Sequence, residues 1–417
     1  MRLHDTATGS LVQTAGSSPD STAPDSTAPD STAPDSTAKS AGPFTIYVCG
    51  VTPYDAAHLG HGFTFMTFDL IRRRVGDLGR QVKLVRNVTD VDEPLYAKAA
   101  ELGVHFLDLA RSEERRMQSA LGRLGLIPPE VEPRASEHMD EIVAMISSLL
   151  AAGAAYELDG DVYFDVSATP DYGRVSGYSR DLMTKFARMR GGDPDRAGKR
   201  QPLDFLLWRR IGDEDDPARW ETPLGPGRPG WHIECSVMAD RHLGTGIDVH
   251  GGGADLIFPH HECEQAQSTA AGRVPFVKCW VHVGPMLMGG EKMSKSLGNL
   301  VFVDRLLEDH SPAAIRLALM RYHYRSGGEW RPEFIEDGEE LSRELRKAAA
   351  GMSREEAAAR PAGPLLREIR EALDDNLDAP RCVRLLESCL SRPNAGDTHA
   401  ADVVRIADLL GIESALA

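Results

Sequence analysis

Four groups of residues in this sequence carry side chains able to do chemistry. Cys49, Cys235 and His260, with Glu264 four positions further on, have the types of a metal site. Two thiolates and an imidazole hold a tetrahedral Zn2+ with one position open or weakly held, the pattern of a catalytic zinc. No pair has the tight Cys-x-x-Cys spacing of a zinc finger. Spacing therefore leaves room for plain buried cysteines beside satisfied polar side chains. His260 and Glu264 share a face if their stretch is helical.

The second group is His58 and His61, three residues apart in His58-Leu59-Gly60-His61. They follow an apolar β-branched run and precede an apolar segment that reads as a helix. A strand that delivers a loop and then a helix start favours phosphate, because the free N–H groups and the helix dipole attract anions. Two imidazoles there add donors; the plain alternative is a pair of surface histidines at a helix start. The third group is Lys292-Met293-Ser294-Lys295-Ser296, flanked by Gly289, Gly290 and Gly298. Two ammonium groups on a glycine-hinged loop can clamp a polyphosphate as point charges, although the order is not that of a Walker A loop. A solvated basic turn is the competing reading. The chain has only nine lysines against thirty-eight arginines, which draws attention to this pair. The fourth group is Gly251-Gly252-Gly253 with Asp255, where glycines allow close backbone approach to a ligand or simply make a tight turn.

These groups need a scaffold. Thr45–Cys49, a helix over 62–79 and a strand over Val82–Val88 read as a βαβ unit, which implies a parallel sheet. Residues 92–153 read as helical, with breaks at Gly103 and at Pro128-Pro129. Asp161–Val166 reads as a short strand, and 168–228, rich in Gly, Pro, Asp and Arg, as an excursion from the sheet. A helix over Trp231–Leu243, a strand over Ile247–His250, a helix starting at His260 and a strand over Val277–Val283 supply the second half of a doubly wound domain. From about residue 302 the pattern is helical. The predicted fold class is α/β. Residues 1–13 form a short edge segment and 14–43 a linker. A catalytic domain spans 44–301, with an insertion at about 155–228, and a helical bundle occupies 302–417. Four copies of Pro-Asp-Ser-Thr-Ala over 19–38 have no apolar face to bury and are expected to be disordered.

The bulk numbers are consistent with a soluble enzyme. The chain has 417 residues, enough for two or three domains. No apolar run reaches the ~18 residues of a membrane helix, and the first residues lack a signal peptide's apolar centre. A cytoplasmic location is expected. Six irregularly spaced cysteines suit a reduced compartment with metal or catalytic use. The net charge of −16 argues against a protein whose main work is gripping nucleic acid.

Taken together, the motifs carry a resemblance. His58-Leu59-Gly60-His61 and Lys292-Met293-Ser294-Lys295-Ser296 resemble the two signatures of class I aminoacyl-tRNA synthetases. The segments YVCGVTPYD, RNVTDVDEPL, RPGWHIECS, GGGADLIFPHHE and GEKMSKSLGN are similar to the cysteine-specific branch. The resemblance spans roughly residues 44–390. It implies a Rossmann-like catalytic domain and zinc, one per chain, on Cys49, Cys235 and His260. It also implies ATP with Mg2+ as substrate, and His58, His61, Lys292 and Lys295 as catalytic groups. Its adenylate- and substrate-contacting positions fall on Cys49, Gly50, Val51 and Thr52, and on Thr64. They continue at Asn87, Val88 and Thr89, at Trp231, at Gly253, Ala254 and Asp255, and at Met286.

That branch holds two families, cysteinyl-tRNA synthetase and the mycothiol cysteine ligases, which join cysteine to the amine of glucosaminyl-inositol (GlcN-Ins). Thr52-Pro53-Tyr54 and the second histidine, His61, resemble the ligases; the tRNA enzyme usually has Thr-Val-Tyr and Asn. Arg190-Gly191-Gly192-Asp193-Pro194 resembles a ligase motif. The chain stops about 120 residues after the lysine loop, short for an anticodon-binding region. Two residues depart from the ligase pattern. Glu264 is the fourth metal ligand of the tRNA enzyme, and Met189 replaces the Glu that usually begins the Arg-Gly-Gly-Asp-Pro motif. The resemblance implies an AMP-forming ligase that takes L-cysteine, ATP and GlcN-Ins and works as a monomer without nucleic acid or membrane. A short cysteinyl-tRNA synthetase and a binding-only relic are the alternatives; a relic should have lost signature residues, and none is lost.

Overall fold

The computed structural model describes residues 1–16, 42–53, 56–294, 297–390 and 397–417. The Pro-Asp-Ser-Thr-Ala repeat, Tyr54, Lys295 and Ser296 lie outside the described residues.

The β-branched and aromatic run that begins the first expected unit forms β3 (Phe44–Val51), preceded by the short strands β1 (Arg2–Asp5) and β2 (Ser10–Gln13). Strand β3 leads to α1 (Leu59–Asp77) and β4 (Val82–Val88). Helices α2 (Glu93–Leu102), α3 (Phe106–Arg123) and α4 (Met139–Ala151) follow. Next come β5 (Ala155–Leu158), β6 (Asp161–Phe164), α5 (Arg180–Met189), β7 (Phe205–Arg210) and β8 (Gly227–Pro229). The chain then returns through α6 (Trp231–Leu243), β9 (Val249–Gly253), α7 (Glu262–Ala270) and β10 (Trp280–Val283).

Strands β10, β9, β3 and β4 lie in that order in one parallel sheet. Its connections run outward in both directions from β3, so the sheet is doubly wound. The crevice at the switch point, between the ends of β3 and β9, is where such sheets take ligands. Ile46, Tyr47 and Val48 are buried, as a central strand covered on both faces requires.

Three expectations are corrected. Residues 1–13 make an antiparallel hairpin, β1 with β2, which is a sheet of its own rather than one edge strand. It reaches the main sheet through the Thr6 N–H to the Trp280 carbonyl and the Trp280 N–H to Asp5 Oδ1, both 2.9 Å. The 155–228 stretch is a four-stranded antiparallel sheet, β5-β6-β7-β8, with its core around Phe164, Leu207 and Trp208. Strands of three to six residues among turn formers leave little periodicity to read. The triple glycine lies inside β9 rather than after it. A Cβ on Gly251 would stand 1.8 Å from the Val281 carbonyl oxygen of β10, so only glycine fits.

A small sheet of β11 (Met286–Met288), β12 (Glu291–Lys292) and β13 (Gly328–Glu329) carries the lysine loop. Around it and beyond it run α8 (Val303–Asp309), α9 (Pro312–Met320), α10 (Glu333–Ala349), α11 (Arg354–Ala358), α12 (Pro364–Asp374), α13 (Ala379–Leu390) and α14 (Asp397–Leu410). One apolar core runs from β3 and α1 into these helices, through Phe63, Ile71, Ile315, Leu341 and Ile406.

At that junction Arg316, fully buried on α9, meets Asp69 of α1 at 2.7 Å and the Leu410 carbonyl at 2.8 Å. Burial pushes the Asp69 carboxyl up, but Arg316 and Arg73 outweigh it and hold it below the usual range. Removing one partner of a buried ion pair strands the other charge, at a cost of ~3–5 kcal/mol. Asp69→Asn is therefore expected to lower the urea unfolding free energy by about that amount; an unchanged midpoint would show that the pair does not tie the helices to the sheet.

Candidate active site

The carboxyl ends of the sheet strands bring most of the singled-out residues together. Pairing between β3 and β4 is in step up to Val48 and resumes at Val51 with a shifted register. An irregularity of this kind re-aims side chains, and Cys49 and Gly50 occupy it. The Gly50 N–H donates to Asn87 Oδ1 (3.0 Å), and the Thr89 N–H to the Val51 carbonyl (3.1 Å). Thr52 Oγ1 bonds Thr89 Oγ1 at 3.1 Å and donates to Asp92 Oδ2 at 2.7 Å. Cys49 to Thr52 and Asn87 to Thr89 thus line one rim, with Gly253, Ala254 and Asp255 at the end of neighbouring β9. Thr64 lies on α1, beyond the two histidines.

The expected metal ligands converge. One atom from each of Cys49, Cys235, His260 and Glu264 lies within 4.8 Å of the others, and all four residues are buried. They arrive on β3, α6, the turn over Ile257–His261 and α7. His260 thus lies in the turn that leads into α7, two residues before that helix begins; Phe258 within the turn has extended angles. The turn still sets His260 Nε2 3.1 Å from Glu264 Oε1. Burial, then the neighbouring Cys235, pushes both the Cys49 thiol and the Glu264 carboxyl up. Burial holds His260 well below its ordinary value, so it is a neutral lone-pair donor. No lysine or arginine among the described residues pairs with Glu264, and its Oε2 makes no hydrogen bond among them. Lone pairs from two sulfurs, a nitrogen and a carboxylate that are buried within reach of one another fit a divalent cation.

Sequence reasoning missed His250, His261 and His282. His250 and His261 form a second group with Cys49 and Glu264, again with donor atoms within 4.8 Å of one another. His261 Nε2 is 3.3 Å from Cys49 Sγ, its Nδ1 is 2.7 Å from His282 Nε2, and His282 Nδ1 is 2.7 Å from Thr6 Oγ1. His260 and His261 are adjacent, and no spacing marks which ring faces the thiols; His250 and His282 sit on separate strands. His232 was likewise unmarked, and its Nδ1 lies 2.9 Å from His260 Nδ1. Trp231, at the start of α6, stacks on His260 with centroids 4.0 Å apart.

The histidine and lysine motifs meet through the backbone. The Leu59 N–H donates to the Val301 carbonyl (2.7 Å) and the Val303 N–H to the Ala57 carbonyl (3.0 Å), with His58 paired to Phe302 between them. The His58 and His61 rings stack at 3.7 Å. Burial, then the charges of His58, Lys292 and Arg86, holds His61 well below its ordinary value. Its Nδ1 has no hydrogen-bond partner among the described residues. Met286 ties β11 to the lysine loop by accepting from the Met293 N–H at 3.1 Å. Lys292 Nζ reaches Asp255 Oδ2 at 2.9 Å, across the crevice mouth. One rim therefore carries thiol, imidazole, hydroxyl and carboxylate groups, and the other carries the cationic loop.

Residues 36–340 match a family model described as tRNA synthetases class I (C) catalytic domain. An L-cysteine:1D-myo-inositol 2-amino-2-deoxy-alpha-D-glucopyranoside ligase of Streptosporangium roseum is 46% identical over 88% of this chain and 90% of its own. The protein of the same name from Thermobispora bispora is 45% identical over 89% and 91%. The one from Thermomonospora curvata is 43% identical over 99% and 94%. Among solved structures, methionyl-tRNA synthetase of Mycobacterium tuberculosis with methionyl-adenylate superposes with a TM-score of 0.60 over 90% of this chain and 89% of that one. At 17% identity this likeness shows the fold alone.

Asp92 offers a test of the rim. Burial raises its carboxyl to about 6, against the pull of the Thr52 hydroxyl. An aspartate in the unfolded chain ionises near ~4, so the folded form holds this proton longer. Folding stability from this group is present below pH ~4 and lost as the pH rises through about 6. Asp92→Asn should therefore gain melting temperature relative to the parent across that window and hold the gain above it. Parallel melting curves from pH 4 to 7 would contradict the raised value.

Proposed function

The chain belongs to the class I (C) tRNA synthetase family, in its branch of L-cysteine:1D-myo-inositol 2-amino-2-deoxy-alpha-D-glucopyranoside ligases, and from that membership we infer that it joins L-cysteine to the amine of GlcN-Ins in mycothiol biosynthesis. The reaction passes through cysteinyl-AMP and releases pyrophosphate and then AMP. The observation that carries this reading is the match to ligases of that name over at least 88% of this chain and 90% of each of theirs.

In the first step the cysteine carboxylate attacks the α-phosphorus of ATP, which enters with Mg2+. His58 and His61 stand at the start of α1, where phosphate is favoured. Kept neutral by burial, His61 acts as a hydrogen-bond donor to phosphate oxygens rather than as a charge. Lys292, with Lys295 on the same loop, clamps the leaving pyrophosphate. Thr52, Thr64, Asn87, Thr89, Gly253, Asp255 and Met286 hold the adenylate, and Trp231 closes the cysteine pocket beside His260. Cys49, Cys235 and His260 would hold Zn2+, with Glu264 placed to act as a fourth ligand. Bound there, zinc supplies a Lewis-acidic site that takes a thiolate, which distinguishes cysteine from serine. In the second step the GlcN-Ins amine, in its neutral form, attacks the activated carbonyl.

On this reading residues 44–301 are the catalytic module and 302–417 its helical support. The protein works as a cytoplasmic monomer without nucleic acid. The acidic net charge of −16 supports the last point, and no described helix is long and apolar enough to cross a membrane.

Purified protein given cysteine and ATP is expected to form the amide with GlcN-Ins and to leave tRNA uncharged. Cysteinyl-tRNA without the amide would overturn the acceptor assignment. Cys235→Ala should lose zinc and activity together, read by metal analysis and by cysteine-dependent ATP–pyrophosphate exchange; a zinc-free, fully active variant refutes the metal site. His61→Ala, which removes one preorganised donor, should slow that exchange by ~10²–10³-fold with little change in zinc content.

A further inference from the structure

The Arg190-Gly191-Gly192-Asp193-Pro194 run takes no part in the chemistry above, yet its geometry points straight at the site. Helix α5 ends at Met189, and the Ala187 carbonyl accepts from both the Arg190 N–H (3.2 Å) and the Gly192 N–H (2.8 Å). This closure needs both glycines. Gly191 lies at φ +83°, a left-handed conformation. A Cβ on Gly192 would stand 2.9 Å from the Ala187 carbonyl oxygen. The tight turn sends Arg190 back along its own helix, with its guanidinium 4.9 Å over the Phe186 ring.

From there Arg190 Nη1 spends both hydrogens on backbone carbonyls of the irregular stretch after β9. One goes to Asp255 at 2.5 Å and the other to Phe258. That stretch departs from helical angles at Phe258, so its carbonyls need partners from outside it. At one end it carries the Asp255 carboxylate, 2.9 Å from Lys292 of the nucleotide loop. At the other it carries His260 and His261, which face Glu264 and Cys49.

We propose that Arg190 is a positioning residue that holds one backbone segment by two of its carbonyls and so sets Asp255 and His260 in register with each other. The glycines that follow it exist to aim it. The inserted module also meets this region through the Gly173 and Ser176 N–H groups on Glu262 and the Tyr172 ring against Phe258, but Arg190 is the side chain that takes the turn's own carbonyls. The planar fork stacks and bridges at once; a lysine ammonium can reach a carbonyl but cannot do both.

The assignment rests on the ligase reading only for its assay, and the half-reaction used needs no acceptor. Arg190→Ala and Arg190→Lys are compared with the parent in cysteine-dependent ATP–pyrophosphate exchange, zinc release to a chelator, and thermal melting. Displacing a reacting group by an ångström or so costs ~10²-fold, and loosening the support of a metal ligand costs ~10–100-fold in affinity. Arg190→Ala is expected to lose about 10²-fold in exchange kcat/KM and to release zinc at least ~10-fold faster. Added methylguanidinium should restore much of both, and Arg190→Lys should fall between. Parental exchange and zinc release in Arg190→Ala overturn the proposal. So does a loss that neither methylguanidinium nor lysine repairs, which marks a general folding defect. If Arg190→Ala does not accumulate, Arg190→Lys decides: an exchange loss at an unchanged melting temperature supports the proposal, and parental rates sink it. A parent that exchanges pyrophosphate but makes no amide would refute the acceptor reading while leaving Arg190's role intact.

Discussion

A carboxyl group, two thiols and a neutral imidazole are buried together, with no lysine or arginine among the described residues paired to the carboxyl, and much of the site's architecture follows from that. Glu264 is fully buried and its Oε2 makes no hydrogen bond among the described residues. Taking such a group from water is costly unless something positive meets it. A divalent cation would bind here with the desolvation already done. The donors come from β3, α6, the turn before α7, and α7 itself, so a bound ion would tie both halves of the doubly wound sheet at the switch point where a ligand enters.

The side that carries the histidine and lysine motifs rests on backbone pairing. Residues 57–59 and 301–303 are bonded to each other across more than two hundred residues of chain. The segment carrying His58 and His61 therefore cannot shift without the base of the lysine loop. The loop's own anchor, the Met293 N–H on the Met286 carbonyl, is part of the small sheet with β13. Lys292 meets Asp255, which holds the cation at the mouth and keeps Asp255 ionised, below its ordinary range despite burial. A polyphosphate that takes up Lys292 would free that carboxylate to face the rest of the substrate.

The antiparallel module over β5–β8 shares an apolar core with α4, α6, α7 and the turn before α7, through Ile146, Ile233, Cys263 and Phe258, which seats it against elements that carry the metal-site residues. Its strand β8 ends at Pro229, immediately before α6 with Trp231 and Cys235, so the module also delivers the helix that brings these two residues to the site. The C-terminal helices, by contrast, share the core of α1 and β3 and are pinned there by Arg316 on Asp69. The acidic net charge of the chain is compatible with both arrangements, because the cations that matter are placed singly.

Local sequence alone determined a good deal. The β-branched run at 45–48, the apolar segment after His61 and the strand at Val82–Val88 follow from side-chain period and turn residues, and the structure has elements at those positions within a few residues. The residue types of Cys49, Cys235, His260 and Glu264 allow a metal, but their wide spacing left plain buried cysteines open, and it was the resemblance of the surrounding motifs that singled the set out. Tertiary structure alone decided which rings join them. His261 faces the Cys49 thiol because an irregular turn rotates it there, and His250 and His282 arrive on different strands of one sheet, a juxtaposition no spacing encodes. It also decided that the triple glycine is a strand, for its constraint is the neighbouring strand's carbonyl and not its own turn. Of the inserted sheet only the strand at Asp161–Phe164 was legible, by its apolar alternation; the other three escaped because three to six residues carry too little period, and only pairing across the sheet makes them strands.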